Sequence, residues 1–257
     1  MKDQFELFND LHHQSEPLLI GNVWNAQSAK VFEKQKFKAI ATSSSAVAAT
    51  LGYVDGEQMT FEEYLFVVRH IRKAVDLPLS IDLEWGYGKN AKDINKNIKQ
   101  LSDAGVVGIN IEDSIIRNGK RSLVETNTFA MVLEEIAQYL SASGVRMFIN
   151  VRCDTFLLNV SNPLEESLAR IMVYQNTDVH GLFFPCVTTI ADIHALVQKS
   201  KLPISVMCMP GLPDFMQLRD AGVKRISMGN FLNQSIYNQL DKHITNIVQQ
   251  GKFESLF

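Results

Sequence analysis

Short apolar runs rich in β-branched residues recur along this chain, and a longer segment of helical period follows each run. In the segment 60–75, for example, the apolar residues fit one helix face, and Thr60 followed by Glu63 predicts a capping box. Strands that alternate with helices indicate a parallel sheet, and eight such units in 257 residues match a (β/α)8 barrel. The predicted strands are 18–24, 39–43, 78–84, 107–113, 147–154, 181–186, 203–208 and 225–229.

An open, doubly wound sheet is the alternative fold, because alternation alone does not close a barrel. The first strand–helix turn has no G-x-G-x-x-G motif, and the chain has no G-x-x-x-x-G-K-[ST] motif. The usual nucleotide-binding reasons for an open sheet are therefore missing. No linker rich in proline, glycine or serine divides the chain. We predict an α/β protein with a single (β/α)8 TIM-barrel domain over residues 1–257.

Charge and cysteine content restrict the partners and the compartment. The 25 basic and 28 acidic residues give a net charge of −3 without a basic cluster, which argues against nucleic acid and anionic membranes. The N-terminus has no apolar leader segment, and no stretch approaches the roughly 18 apolar residues of a membrane span. Cys153, Cys186 and Cys208 are an odd number, which favours free thiols in a reducing compartment. We predict a cytoplasmic protein.

Polar residues at the ends of the predicted strands are the candidates for a site, since barrel enzymes carry their active groups there. The third strand ends in Asp82 and Glu84, and the alternation of a strand places both carboxylates on one face. If the strand ends converge, several acids and one arginine meet at one mouth of the barrel. The candidates on the next two strands are Asn110, Glu112, Asp113, Asn150, Arg152 and Asp154.

Such a group of acids suits a hard metal ion. Burying several carboxylates together is unfavourable unless a cation neutralises them. A set of oxygen ligands favours Mg²⁺ or Mn²⁺, and zinc is disfavoured because no two histidines have a ligand-pair spacing. The alternative is an internal salt-bridge network between Arg152 and the acids. Position in the sequence leaves both open and favours the metal.

A serine turn follows the second strand. Ser43, Ser44 and Ser45 lie where a strand meets a helix N-terminus, whose backbone N–H groups can bind an anion. Asp55 follows in a turn with Gly52 and Gly56. The alternative is a helix cap followed by a solvated turn, which position alone favours.

Five blocks of sequence carry a resemblance to a known family. The motif D-x-[DE]-x-G-Y-G, followed after about twenty residues by G-[IV]-x-[IL]-E-D, is the most specific part. The chain resembles the isocitrate lyase/phosphoenolpyruvate mutase superfamily, in its phosphoenolpyruvate mutase-like (carboxyphosphonoenolpyruvate phosphonomutase-like) branch. The blocks are 21–56, 82–88, 104–114, 150–154 and 221–229.

The resemblance implies a Mg²⁺ or Mn²⁺ ion that binds the carboxylate of a 2-oxo acid substrate. By position, Asp82 looks like the direct ligand, which also meets the substrate, with Glu84, Glu112 and Asp55 holding the ion through water. Ser43, Ser44 and Ser45 look like the turn that binds the substrate carboxylate and oxo group. Arg152 looks like the clamp on that carboxylate, and Asp55 and Arg152 are the implied catalytic groups.

The implied gating loop is 114–125. In the isocitrate lyase branch this loop carries a cysteine as general acid, and the present chain has no cysteine before position 153. Asn118, Lys120 and Arg121 offer polar groups in an order that differs from the mutase branch. Lys120 is the catalytic candidate, and the alternative is a solvated loop lysine.

These inferences combine into one expected activity. We expect a Mg²⁺-dependent lyase that cleaves a C–C bond of a small 2-oxo or 2-hydroxy dicarboxylate through a metal-stabilised enolate. The alternatives are C–P chemistry, as in a phosphonopyruvate hydrolase or phosphorylmutase, and a non-catalytic barrel that binds a 2-oxo acid. The segment 230–250 is helical in pattern with unpartnered apolar positions. The resemblance implies that this helix is exchanged between subunits of a homodimer or homotetramer.

Overall fold

A computed structural model describes residues 3–257. Its strands are β1 (Leu18–Val23), β2 (Ile40–Thr42), β3 (Leu79–Asp82), β4 (Gly108–Glu112), β5 (Ser114–Arg117), β6 (Lys120–Leu123), β7 (Phe148–Arg152), β8 (Gly181–Phe184), β9 (Ile204–Met207) and β10 (Arg225–Ser227). Eight of them are parallel and close a barrel in the order β1-β2-β3-β4-β7-β8-β9-β10 and back to β1. The predicted (β/α)8 barrel is confirmed.

Helices surround the barrel and begin with local capping interactions. In α4, for example, the Glu63 N–H donates to Thr60 Oγ1 at 3.2 Å and the Thr60 N–H donates to Glu63 Oε2 at 2.9 Å, which confirms the predicted capping box. The helices are α1 (Gln4–Leu11), α2 (Ala26–Lys34), α3 (Ser44–Thr50), α4 (Phe61–Ala74), α5 (Ala91–Asp103), α6 (Thr126–Ser143), α7 (Pro163–Tyr174), α8 (Ile190–Lys199), α9 (Phe215–Asp220) and α10 (Phe231–Gln250), with a 3₁₀ turn at Glu254–Leu256.

Several predicted strands end earlier than expected, at the rim where the site lies. The strand predicted over 78–84 ends at Asp82, and Glu84 has a positive φ of 54° in the turn that follows. The alternation of a strand therefore does not place Glu84 beside Asp82, and that part of the prediction is wrong. A turn, rather than the sheet, sets the direction of the Glu84 side chain.

The barrel interior is polar at mid-height and closed by aromatic rings at its N-terminal end. The Asn150 amide donates to Asn110 Oδ1 at 2.9 Å, which links the side chains of the adjacent strands β7 and β4 inside the barrel. Below this layer, Phe8 of α1 packs edge-to-face on Phe148 with ring centroids 5.4 Å apart. Gly108 leaves room for this ring, since a Cβ there would lie 2.7 Å from Phe8 Cε1. Access to the interior is thus from the C-terminal ends of the strands.

Strands β5 and β6 form an antiparallel hairpin where the sequence predicted only a gating loop. Ser114 pairs with Leu123, and Arg117 pairs with Lys120 across the turn. Asn118 and Gly119 make this turn with φ values of 52° and 74°. An Asn-Gly pair is the residue combination that two-residue hairpin turns prefer. The sequence therefore contains a hairpin signal at Asn118 and Gly119.

Helix α10 leaves most of its apolar surface exposed. Within the described chain, Asn233 is its one buried residue. Ile236, Leu240 and Ile244 are between 45% and 51% exposed. No helix in the part of the chain that the structure describes is long and apolar enough to cross a membrane.

Candidate active site

Asp82, at the end of β3, faces the N-terminus of α3. The Ser44 backbone N–H and hydroxyl both donate to Asp82 Oδ2, at 3.3 and 2.9 Å. The same hydroxyl oxygen lies 3.1 Å from Asp55 Oδ1. The hydroxyl of Ser43, the N-cap of α3, accepts from the Ala46 N–H at 3.3 Å. The turn thus caps its own helix and also brings Asp55 to Asp82.

A second acidic group lies beside the first. Glu84 Oε1 accepts from the Glu57 N–H at 3.2 Å and from the Tyr87 hydroxyl at 3.1 Å, whereas Glu84 Oε2 is buried without a hydrogen-bond partner. Burial raises the pKa of Glu84 to about 9, and the nearby carboxylates of Asp55, Glu112 and Asp82 add to the rise. Burial and the charge of Asp82 also raise the pKa of Asp55. Burial and mutual repulsion therefore disfavour the charged forms of these two acids.

The opposite side of the site is an ion-pair network. Arg152 Nη1 lies 3.0 Å from Glu112 Oε2, while its Nε and Nη2 donate to the two oxygens of Asp154 at 2.6 and 3.4 Å. From the hairpin, Arg121 Nη1 contacts Glu112 Oε1 and donates to Ser114 Oγ at 2.9 Å. The salt-bridge alternative from the sequence is thus realised for Glu112 and Arg152. Both oxygens of Glu112 contact guanidinium groups.

Two cavities open at this end of the barrel. The mouth cavity has a volume of about 390 Å³, and its lining includes Ser43, Ser44, Ser45, Asp55, Asp82 and Arg152. The side cavity has a volume of about 470 Å³, and its lining includes Glu57, Glu84, Glu112 and Arg117. Arg121 lines both cavities and separates them.

The hairpin places Lys120 and Arg121 on opposite faces of β6. Lys120, the catalytic candidate of the loop, is exposed and lines neither cavity among those of the described chain. Its neighbour Arg121 lies on the opposite face of β6, because side chains alternate along a strand, and points into the mouth. The hairpin turn at Asn118 and Gly119 is the signal that would have assigned these faces.

Asp113, another candidate from the sequence, holds neighbouring elements of the site in place through hydrogen bonds. Its Oδ2 accepts from Arg170 Nη1 at 2.9 Å and from the Tyr174 hydroxyl at 3.1 Å, and its Oδ1 accepts from the Asp154 N–H at 2.9 Å. Arg170 Nη2 also donates to the Val124 carbonyl at 3.0 Å. These contacts attach the stem of the hairpin and the end of β7 to helix α7.

The acids around Asp82 fit a hard metal ion in part. Among residues 3–257, no group of three or more histidine, cysteine, aspartate or glutamate side chains is arranged to ligate a metal directly. The predicted arrangement has only one direct ligand, Asp82, because the other acids act through water. It therefore does not require three acids close enough to ligate the ion directly. The partnerless oxygen of Glu84 and the oxygen donors of Asp55 and Asp82 suit Mg²⁺. Glu112 fits less well, because two arginines already contact it.

The sequence model of the family described as phosphoenolpyruvate phosphomutase matches residues 8–248. The chain belongs to this family. The membership covers every strand of the barrel and confirms the resemblance on which the site prediction rests. As a phosphoenolpyruvate phosphomutase family member, the chain belongs to a superfamily of lyases and mutases.

Proteins similar to this chain carry names that describe different activities. An uncharacterized protein from Mycobacterium tuberculosis is 29% identical over 223 residues, or 87% of this chain and 81% of that protein. Oxaloacetate decarboxylase from Bradyrhizobium sp. (strain BTAi1 / ATCC BAA-1182) is 27% identical over 201 residues, or 76% of this chain and 67% of that protein. The crystal structure of a candidate phosphonomutase from Burkholderia cenocepacia J2315 is 35% identical, covers 95% of this chain and 100% of that chain, and has a TM-score of 0.89. The prediction of an enzyme is confirmed, and the oxaloacetate decarboxylase among these relatives is consistent with a carbon–carbon lyase.

Proposed function

We propose that this protein is a Mg²⁺-dependent lyase that cleaves a C–C bond of a small 2-oxo or 2-hydroxy dicarboxylate. The observation that carries the proposal is the convergence of Asp82, Asp55, the serine turn 43–45 and Arg152 on one cavity of about 390 Å³. A relative named oxaloacetate decarboxylase, which matches 76% of this chain, supports C–C chemistry on a dicarboxylate.

In the proposed mechanism, Asp82 would hold the ion directly, and Asp55 and Glu84 would hold it through water. When bound there, the ion would supply positive charge for an oxyanion at the substrate 2-oxygen. Ser44 holds the Asp82 carboxylate in place through its N–H and its hydroxyl. The hydroxyl of Ser45, which also lines the cavity, binds the substrate carboxylate or oxo group.

Arg152 keeps a fixed positive charge at the mouth. Its contacts with Glu112 and Asp154 fix the guanidinium plane, so that its remaining N–H groups are oriented before substrate arrives. In this proposal they bind the substrate carboxylate next to the 2-oxo group. Glu112 acts in the same network, and its two arginine contacts compete with a role as a ligand through water.

C–P chemistry is the second candidate function. The family model is described as a phosphomutase, and the structure that is 35% identical is a candidate phosphonomutase. A phosphonate needs more positive charge than a carboxylate, and Arg121 and Arg152 both line the mouth cavity. A third candidate is a barrel that binds a 2-oxo acid without turnover, because the hairpin has no cysteine to act as general acid.

An NMR assay separates these functions. Purified protein with Mg²⁺ is incubated with oxaloacetate, phosphonopyruvate, phosphoenolpyruvate, methylisocitrate or citramalate and followed by ¹H and ³¹P spectra. The proposal expects C–C cleavage products from one of the dicarboxylates. New phosphorus signals would instead support C–P chemistry, and oxalate binding without turnover of any compound would support the binding barrel.

We also propose that α10 packs against a second copy of this chain. Its apolar residues Ile236, Leu240 and Ile244 are about half exposed in the single chain, which is unfavourable in water. A homodimer or homotetramer with exchanged terminal helices would cover them. The described cysteines are all free, in keeping with the cytoplasm as the proposed compartment.

A further inference from the structure

The two arginines of the mouth differ in how many of their nitrogens the protein already uses. In Arg152, all three guanidinium nitrogens contact acids: Nη1 faces Glu112, and Nε and Nη2 face Asp154. The Nε–Nη2 edge, through which a guanidinium binds a carboxylate by two parallel hydrogen bonds, is occupied by Asp154.

Arg121 has the opposite arrangement. Among the described residues, its hydrogen bonds and ion pairs all run through Nη1, to Glu112, Ser114 and Asp154. Its Nε and Nη2 have no protein partner in this part of the chain. The side chain is 16% exposed and lines both the mouth cavity and the side cavity. Arg121 therefore lines the mouth cavity with two guanidinium nitrogens that no described residue uses.

The hairpin holds this arginine in a defined position. The Val124 N–H donates to the Asp113 carbonyl at 2.8 Å, and the Val124 carbonyl accepts from Arg170 Nη2 at 3.0 Å. The Ser114 hydroxyl, bonded to Arg121 Nη1, also donates to Asp154 Oδ2 at 2.5 Å. These contacts hold Nη1 of Arg121 beside Glu112 and Asp154, the two acids that also contact Arg152.

We propose that the free Nε–Nη2 edge of Arg121 binds the second carboxylate of the substrate, the one remote from the 2-oxo group. This assignment rests on the proposed function and makes Arg121 the residue that selects dicarboxylates over monocarboxylates. Glu112 and Asp154 contact both Arg152 and Arg121, so a second negative charge at the mouth needs guanidinium donors that these acids do not use. Arg121 has two nitrogens without a partner among the described residues, whereas each nitrogen of Arg152 already contacts an acid.

The test compares two Mg²⁺-dependent probes by isothermal titration calorimetry. Oxalate is short and occupies only the position of the 2-oxo acid, whereas malate carries a further carboxylate. In Arg121→Met, we expect malate binding to weaken about ten- to hundred-fold and oxalate binding to change less than about two-fold. Arg121→Lys keeps the charge beside Glu112 without the two-nitrogen edge, and we expect an intermediate loss for malate. Arg69→Met, which removes an exposed arginine on α4, is the charge-matched control and should match the wild type.

The possible outcomes separate this assignment from the proposed function. Unchanged malate affinity in Arg121→Met would overturn the assignment and leave the proposed function intact. An equal loss for malate and oxalate, with an unchanged melting temperature, would also overturn it, since Arg121 would then support the position of the 2-oxo acid. If the wild-type protein binds neither probe with Mg²⁺, the proposed function fails, and the assignment fails with it.

Discussion

Arg152 is a largely buried cation at the mouth, with a side chain that is 12% exposed. It forms ion pairs with Glu112 and Asp154, whose side chains are 3% and 0% exposed. Removing the Arg152 guanidinium leaves the buried carboxylates of Glu112 and Asp154 with less positive charge to neutralise them. We expect Arg152→Met to lower the free energy of unfolding by about 3–5 kcal/mol, as measured by urea denaturation. Arg69→Met should stay within about 0.5 kcal/mol of the wild type. A loss for Arg152→Met as small as that of the control would show that the network does not stabilise the fold.

His12 is a buried residue whose protonation opposes folding. Burial, assisted by the charge of Arg225, lowers the pKa of His12 to about 3. From about pH 6.5 down to 3, the unfolded chain binds a proton here that the folded protein excludes, so stability is lost as pH falls. The slope at this site is at most about 1.4 kcal/mol per pH unit. We expect His12→Gln to reduce the acid dependence of the unfolding free energy between pH 6 and 4 (roughly the window in which a lowered histidine pKa acts).

An exposed histidine provides the matched control for this prediction. The Nδ1 atom of His12 lies 2.8 Å from the Phe8 carbonyl, and that of His70 lies 2.8 Å from the Phe66 carbonyl. The contacts are alike, but His70 is exposed. His70→Gln should retain the wild-type pH dependence. Equal pH dependence in the two variants would contradict the role of burial at His12.

The sequence located the residues at the strand ends, but it did not give the direction of Glu84 in its turn or of the side chains on the hairpin. Asp82 and Arg152 are the last residues of β3 and β7, where barrel chemistry is expected, and both line the mouth cavity. Glu84 points as it does because of a positive φ that no strand pattern predicts. The choice between Lys120 and Arg121 depends on the register of a hairpin, and a shift of one residue exchanges the two faces.

At the scale of the elements, α10 gives a test of assembly. In Leu240→Glu combined with Ile244→Glu, charges replace two apolar residues that are about half exposed in the single chain. We expect light scattering to show a dimer or tetramer for the wild type and a monomer for this variant, since buried unpaired charges oppose association. Lys242→Glu, which by helical period lies on the opposite face of α10, should assemble as the wild type does. A monomeric wild-type protein at micromolar concentration would refute the proposed packing of α10.

The elements themselves were largely predictable. Each of the eight barrel strands lies within a predicted apolar run, because strands buried on both faces read as continuous apolar segments. The apolar pattern did not predict the strands β5 and β6 of the hairpin. It is half exposed and includes charged residues such as Arg117 and Lys120, so the apolar pattern is weak there. In this segment the turn residues carried more information than the apolar pattern.

At the scale of the whole molecule, the two ends of the barrel differ. Apolar packing closes the N-terminal end, and the polar cavities open at the C-terminal end. The N-terminal end is closed by α1 and the aromatic contact of Phe8 with Phe148. The C-terminal end collects acids and arginines from three barrel strands, the hairpin and the turns between them. Closure of the barrel brings Asp82 on β3 and Arg152 on β7 to one cavity, although 70 residues separate them in the chain. Sequence alternation indicated the barrel, and the family resemblance indicated which of its rim residues form the site.

The central claim is that Asp82 holds a divalent ion through which the site binds a 2-oxo acid, and oxalate binding tests it most directly. Calorimetric titrations compare wild-type protein and Asp82→Asn, each with Mg²⁺ and with a chelator, after melting temperatures show that both are folded. We expect the wild type to bind oxalate only when Mg²⁺ is present. In Asp82→Asn, we expect the affinity for oxalate to fall by about a hundred-fold or more. Oxalate binding that survives the chelator, or that Asp82→Asn retains in full, would contradict the account.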